Sequence, residues 1–174
     1  RSVSRGLGDV YKRQTEEGNY VKCGTTMVAV SIKEGKMNWL SVGDSKIYLI
    51  RENVMSTLTN EHNYKFMASC RQNDNSFIFN QDIRPDALVS FLGAESLTYI
   101  DINPVPMELL DEDTVILCSD GLYKSLTEEQ IKVIFSYEYE NLQKAAEFLT
   151  TAATMEARAH QDNTTVIVLK YKNI

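Results

Sequence analysis

Three aspartates constrain this chain more than any other feature, because each stands at the end of an apolar run rich in β-branched residues. Asp44 lies in VGDS between MNWLSV and KIYLIR, Asp120 directly follows VILCS, and Asp162 shortly precedes TTVIVLKY. Runs of this length and composition read as strands, and strand ends are rigid mounts for side chains. An acid placed straight after a buried strand needs a partner, since an uncompensated charge is costly to bury. Two carboxylates brought ~4 Å apart at an effective dielectric of ~20 repel by about 4 kcal/mol. Either their pKa values rise or a cation fills the gap. Oxygen-only ligands suit a hard ion such as Mg2+ or Mn2+, and no His/Cys cluster favours zinc. Taken singly, each acid has a plainer reading: Asp44 as a hairpin turn residue, Asp162 as a cap or turn before the last strand.

The same patterning sets out the other elements. MVAVSI (27–32), MNWLSV (37–42), KIYLIR (46–51), VMSTL (54–58), TVILCS (114–119) and TTVIVLKY (164–171) are predicted strands. Gly43-Asp44-Ser45 and Glu52-Asn53 read as tight turns, which makes 37–58 an antiparallel meander. The solid apolar stretch at 164–171 predicts burial on both faces. Thr127 with Gln130 forms a capping-box pattern ahead of a helix over 128–135. Asn141 caps a second helix whose stripe is Leu142, Ala146, Leu149 and Ala153, and a short helix is expected near 61–70. Strands mixed with late helices predict an α+β fold of layered sheets flanked by helices.

Length and charge narrow the function classes. With 174 residues, 43% of them apolar, the chain can bury one real core. Its net charge of −6 and lack of a Lys/Arg cluster speak against nucleic acid or a membrane surface as partner, and suit a cation-gathering site. Cys23, Cys70 and Cys118 are odd in number and far apart, which predicts reduced thiols in a cytoplasmic protein. No apolar run reaches the ~20 residues of a membrane span, and no charged-then-apolar leader is seen. Residues 1–14, RSVSRGLGDVYKRQ, set Arg1, Arg5, Lys12 and Arg13 against Asp9 alone, and DVYKRQ is a translated transposon-library adapter end. They are read as an adapter remnant and residues 15–174 as the folding unit.

SVGDSKIYLI, LTNEH, SFLGAES, VILCSDGLYKSLTEEQI and DNTTVIVL, in that order and with GTTMVAVSI (24–32) ahead of them, closely resemble the metal-dependent protein phosphatase family, the PPM or type 2C class. The resemblance covers residues 20–171. It implies two packed antiparallel β-sheets flanked by helices, an α-β-β-α sandwich, here incomplete at the N-terminus, with 15–174 as the C-terminal part of a bacterial-type catalytic domain. It implies hydrolysis of phosphoserine and phosphothreonine on proteins by a metal-activated water, without a phosphoenzyme, at a binuclear Mn2+ or Mg2+ centre. By motif, Asp120 and Asp162 match ligands of the metal pair, and Asp44 matches the acid that with Asp120 holds a weaker third ion. Asn163, Gly121 and Ser119 fall in the supporting shell. Phosphorylated proteins are the implied substrates of a monomeric, cytoplasmic signalling enzyme.

Departures from the family pattern shape a second expectation. The family's phosphate-binding Arg, early Glu-Asp pair and metal-bridging Asp-Gly do not precede Gly24, so this chain alone is expected to bind metal weakly and to show little activity. VSRGLGD at 3–9 resembles a family motif but stands before GDS rather than after it. Lys46 replaces a common Arg, and Lys124 stands where an acid is frequent. His62 and His160 are read as surface or structural residues. The alternative is a non-catalytic phosphatase-like regulatory or binding module; a third reading, an unrelated acidic cation-binding β domain, fits the ordered motifs less well.

Overall fold

The structure, a computed structural model, describes residues 24–71, 74, 80–135, 141–156 and 162–173. Its strands are β1 (Met27–Lys33), β2 (Lys36–Val42), β3 (Lys46–Arg51), β4 (Val54–Thr57), β5 (Asp101–Ile102), β6 (Met107–Glu108), β7 (Thr114–Cys118) and β8 (Val166–Lys170). Its helices are α1 (Tyr64–Cys70), α2 (Asp120–Tyr123), α3 (Glu128–Phe135) and α4 (Leu142–Met155). The strands form two antiparallel sheets. One runs β1-β2-β5, with β6 also on β2, and the other runs β4-β3-β7-β8.

The central strands of the second sheet are apolar from Ile47 to Ile50 and from Val115 to Cys118 because both of their faces are covered. Ile47, Leu49, Val115 and Leu117 point into the space between the sheets and meet Met37, with Val28, Val30 and Trp39 packed alongside. Tyr48, Ile50, Ile116 and Cys118 point the other way, onto Leu122, Leu126, Ile131, Ile134, Leu149 and Ala153 of the helical layer. Each such fully buried aliphatic side chain contributes about 1.5–3 kcal/mol of transfer free energy. The described layers are therefore sheet, sheet and helices, in agreement with the two-sheet α+β expectation. Strand β8 splits its side chains in the same way, Ile167 and Leu169 inward and Val166 and Val168 toward the helices. It lies at the sheet's edge, so these residues are only half-buried, less than the predicted burial on both faces.

Two elements differ instructively from the sequence reading. Strands β2 and β3 were expected to pair across Gly43-Asp44-Ser45. Instead β2 pairs with β1, β5 and β6, and β3 with β4 and β7, so this turn carries the chain from one sheet to the other. Gly43 makes the crossing possible: its φ is +108°, and a Cβ there would stand 2.4 Å from Thr26 Cγ2. The true hairpins turn at Glu34-Gly35 and at Glu52-Asn53, where all four residues have positive φ, as two-residue turns matching strand twist require. In α4 the buried residues are Ala145, Leu149 and Ala153, with Leu142 and Ala146 only half-buried. The caps form as read: Thr127 N donates to Gln130 Oε1 at 2.8 Å, Gln130 N to Thr127 Oγ1 at 3.2 Å, and Lys144 N to Asn141 Oδ1 at 3.0 Å.

The end of β3 far from the turn is fixed by charge. Arg51 Nη2 lies 2.6 Å from the buried Asp113 carboxylate and 2.9 Å from the Glu108 carbonyl, which it hydrogen-bonds. Burial alone would raise the Asp113 pKa, but Arg51 and the Leu110 amide hold it below the usual range.

Gly43→Ala should destabilise the fold by about 3 kcal/mol, through backbone strain and the Thr26 clash together. Urea unfolding would show this as a lower midpoint at unchanged slope. A midpoint within error of the parent would contradict the crossover geometry.

Candidate metal centre

The candidate site forms where the crossover turn meets the end of β7. Because Lys46 pairs with Cys118 in register, the residues just before β3 and just after β7 emerge side by side. Asp44 and Asp120 are those residues. The pairing of β7 with β8, Cys118 opposite Val166, brings 162–165 alongside the same end.

Local hydrogen bonds hold this junction. Ser119 Oγ donates to the Asn163 carbonyl at 3.0 Å and accepts from Thr165 N at 2.9 Å, while Ser119 N donates to Thr165 O at 3.1 Å. A Cβ on Gly121 would lie 2.7–2.8 Å from Asn163 O, Thr164 Oγ1 and Asp162 O, so only glycine lets α2 start against that backbone. The turn side is clamped by His62, whose Nδ1 accepts from Gly43 N at 3.1 Å and whose own N–H donates to Gly43 O at 2.9 Å. Tyr123 completes the frame, its hydroxyl donating to the Asp44 carbonyl at 3.0 Å.

The predicted site residues are therefore placed unevenly. Asp44 and Asp120 come close enough to interact. Burial, and then the Asp120 charge, raise the Asp44 pKa from its ordinary 3.8 to about 6. Asp162 has its main chain at the junction, but its carboxylate is exposed and accepts from Asn163 N at 2.8 Å. Asn163 meets Ser119 through its carbonyl. Among the described residues, no group of three or more His, Cys, Asp or Glu side chains converges to hold an ion. The donor chemistry still fits a hard divalent cation: two carboxylates, one of them destabilised by burial and by its neighbour, with no imidazole or thiolate ligand beside them among the described residues.

Several neighbours of these acids were not anticipated. Lys124 Nζ lies 2.6 Å from Asp120 Oδ2, one helical turn on. Lys46 Nζ sits 3.9 Å from the centre of the Tyr123 ring and 2.8 Å from Glu61 Oε1. The i,i+4 spacing of Asp120 and Lys124 was the sequence signal for the first pair. Of the two readings of His62 the structural one holds: it is 2% exposed, its Nδ1 accepts from Gly43 N within the turn, and burial lowers its pKa. His160 and Cys23 lie outside the described residues. Cys118 is buried, its thiol pushed up to about 12 mainly by burial, which makes it a core residue and a poor nucleophile; Cys70 is exposed.

Comparison with known proteins gives concordant results. The family model described as protein phosphatase 2C matches residues 2–163. Among curated proteins, the chain is 30% identical over 148 residues to the serine/threonine phosphatase stp of Listeria innocua, covering 84% of this chain and 56% of that protein. The Listeria monocytogenes serine/threonine phosphatase stp is 29% identical over the same shares. The chain thus spans 56% of the length of these curated relatives. Among solved structures, the S. agalactiae serine/threonine phosphatase superposes with TM-score 0.73 at 23% identity, over 92% of this chain and 63% of that one. The catalytic domain of the serine/threonine phosphatase PstP, in complex with 2 manganese ions, gives TM-score 0.62 at 22% identity, over 84% and 58% of the two chains. These structural likenesses establish a shared fold.

The raised Asp44 pKa has a testable sign. Between pH 4 and 6 the folded chain binds more protons at Asp44 than the unfolded chain, so metal-free stability falls as pH rises through that window. Screening at this partly exposed position reduces the loss to about 2 kcal/mol. Urea unfolding in EDTA across this range should show the decline, and Asp44→Asn should flatten it. An unchanged slope in the variant would contradict the burial of Asp44.

Proposed function

This chain belongs to the protein phosphatase 2C family, and on that premise we propose that it forms part of an enzyme hydrolysing phosphoserine and phosphothreonine on proteins. The observation that carries this reading is the half-buried Asp44 beside Asp120 at the sheet junction, an acid pair whose repulsion a divalent cation would offset. The family relationship and the names of the Listeria relatives support the substrate class.

In this proposal Asp120 and Asp162 contribute to a pair of Mn2+ or Mg2+ ions, and Asp44 with Asp120 holds a third, weaker one. Such ions, when bound, would supply Lewis-acid chemistry toward water and phosphoryl oxygens. The chain's own residues do the rest. Gly43, held by His62, fixes the direction of the Asp44 turn. Gly121 and Ser119 keep the 162–165 backbone against Asp120. Asp162 would join Asp44 and Asp120 only by giving up the hydrogen bond it accepts from Asn163 N. Neither Ser119 nor Cys118 acts as a nucleophile: both of the Ser119 Oγ contacts serve backbone groups, and Cys118 is buried in the core. The described chain offers two coupled carboxylates rather than a full cage, so on its own it is expected to turn over slowly.

A protein extended to the length of the Listeria relatives should release phosphate from a phosphothreonine peptide only with Mn2+ or Mg2+ present. Asp120→Ala should reduce kcat/KM by at least about 100-fold. Turnover that persists in EDTA, or that survives Asp120→Ala, would overturn the proposal.

A further inference from the structure

We propose that Lys124 is a built-in competitor for the cation held between Asp44 and Asp120, and so sets how much free Mn2+ or Mg2+ that position requires. The inference rests on the function proposed above and adds a control on its occupancy.

Among the described residues, Lys124 brings an ammonium group into direct contact with Asp120. Lys124 Nζ stands 2.6 Å from Asp120 Oδ2, and its charge also reaches Asp44. Lys46, two residues after Asp44, is engaged elsewhere, on Glu61 and over the Tyr123 ring. The Lys124 contact forms without distortion, because Asp120 opens α2 and Lys124 is its C-cap in right-handed helical geometry, four residues on. A divalent ion bound by Asp120 would share its carboxylate with this ammonium and would be repelled by the charge beside it. The two occupants therefore oppose each other.

Lys124 is able to leave. Its side chain is 48% exposed, against 20% for Asp120, so the ammonium can swing into solvent while the carboxylate stays. The lysine thus weakens cation binding without blocking it. By linkage, whatever draws Lys124 away from Asp120 strengthens cation binding by the same factor.

Titration calorimetry of the 174-residue chain with Mn2+ alone tests this through binding, independently of turnover. Lys124→Gln, which removes the charge and keeps most of the side chain, should tighten Mn2+ binding by about fivefold or more, the scale of a partly exposed ion pair plus the lost repulsion. Lys124→Arg, which keeps the charge, should bind within about twofold of the parent. Asp120→Asn should remove the binding event. If the parent binds, Asp120→Asn does not, and Lys124→Gln is no tighter than the parent, the competitor role is wrong while the cation site stands. Tightening by Lys124→Arg equal to that of Lys124→Gln would also overturn it. If neither the parent nor Lys124→Gln binds Mn2+, the site itself fails and the inference falls with it.

Discussion

The structure depends on a single crossing of the chain between two sheets. At Gly43 the backbone leaves the β1-β2-β5 sheet, and by Lys46 it has entered the β4-β3-β7-β8 sheet. A left-handed glycine, packed so tightly on Thr26 that no side chain fits, makes the step. Two hydrogen bonds with His62 hold it, one donated by Gly43 N and one accepted by Gly43 O, and the Thr26 and Ser45 hydroxyls meet at 2.9 Å across it. The crossing places Asp44 in partial burial next to the end of β7. Without it the acid would sit in an ordinary solvated turn, and nothing would press it against Asp120.

From that crossing the electrostatics follow. A carboxylate pushed out of water and toward a second carboxylate is unstable as a charged pair, and the fold relieves this locally. The Lys124 ammonium reaches Asp120, and the Tyr123 hydroxyl caps the Asp44 carbonyl. Lys46 is held away on Glu61. Burial first, and the Asp120 charge second, still keep the Asp44 pKa raised to about 6. A junction fixed by two strand pairings and two glycines, whose Lys124 ammonium is half exposed and free to swing out, is suited to receiving divalent ions.

Much of this was legible in the residues. The apolar runs located the main strands to within a residue or two, and the Thr127–Gln130 box and Asn141 cap marked both late helices, because those signals are local. The ordered motifs marked Asp44, Asp120 and Asp162 as residues to examine. What stayed hidden depends on pairing between distant segments. A Gly-Asp-Ser turn between two strands reads as a hairpin, and only the partners of β2 and β3 reveal it as a crossover. The burial of His62 arises from its contact with that turn, with Phe66 and Tyr99 packed around the ring. The short strands β5 and β6 have only two residues each, too few for any alternation to register. The outward turn of the Asp162 carboxylate is likewise a side-chain choice that spacing does not encode.

The central claim is that Asp44 and Asp120 together receive a divalent cation at the sheet junction. Crystals grown with Mn2+ and measured at the manganese absorption edge test it most directly. The account requires an anomalous peak within about 2.5 Å of carboxylate oxygens from both residues, with Lys124 drawn off Asp120. A map with no peak at the junction, and Lys124 still paired with Asp120, would contradict it.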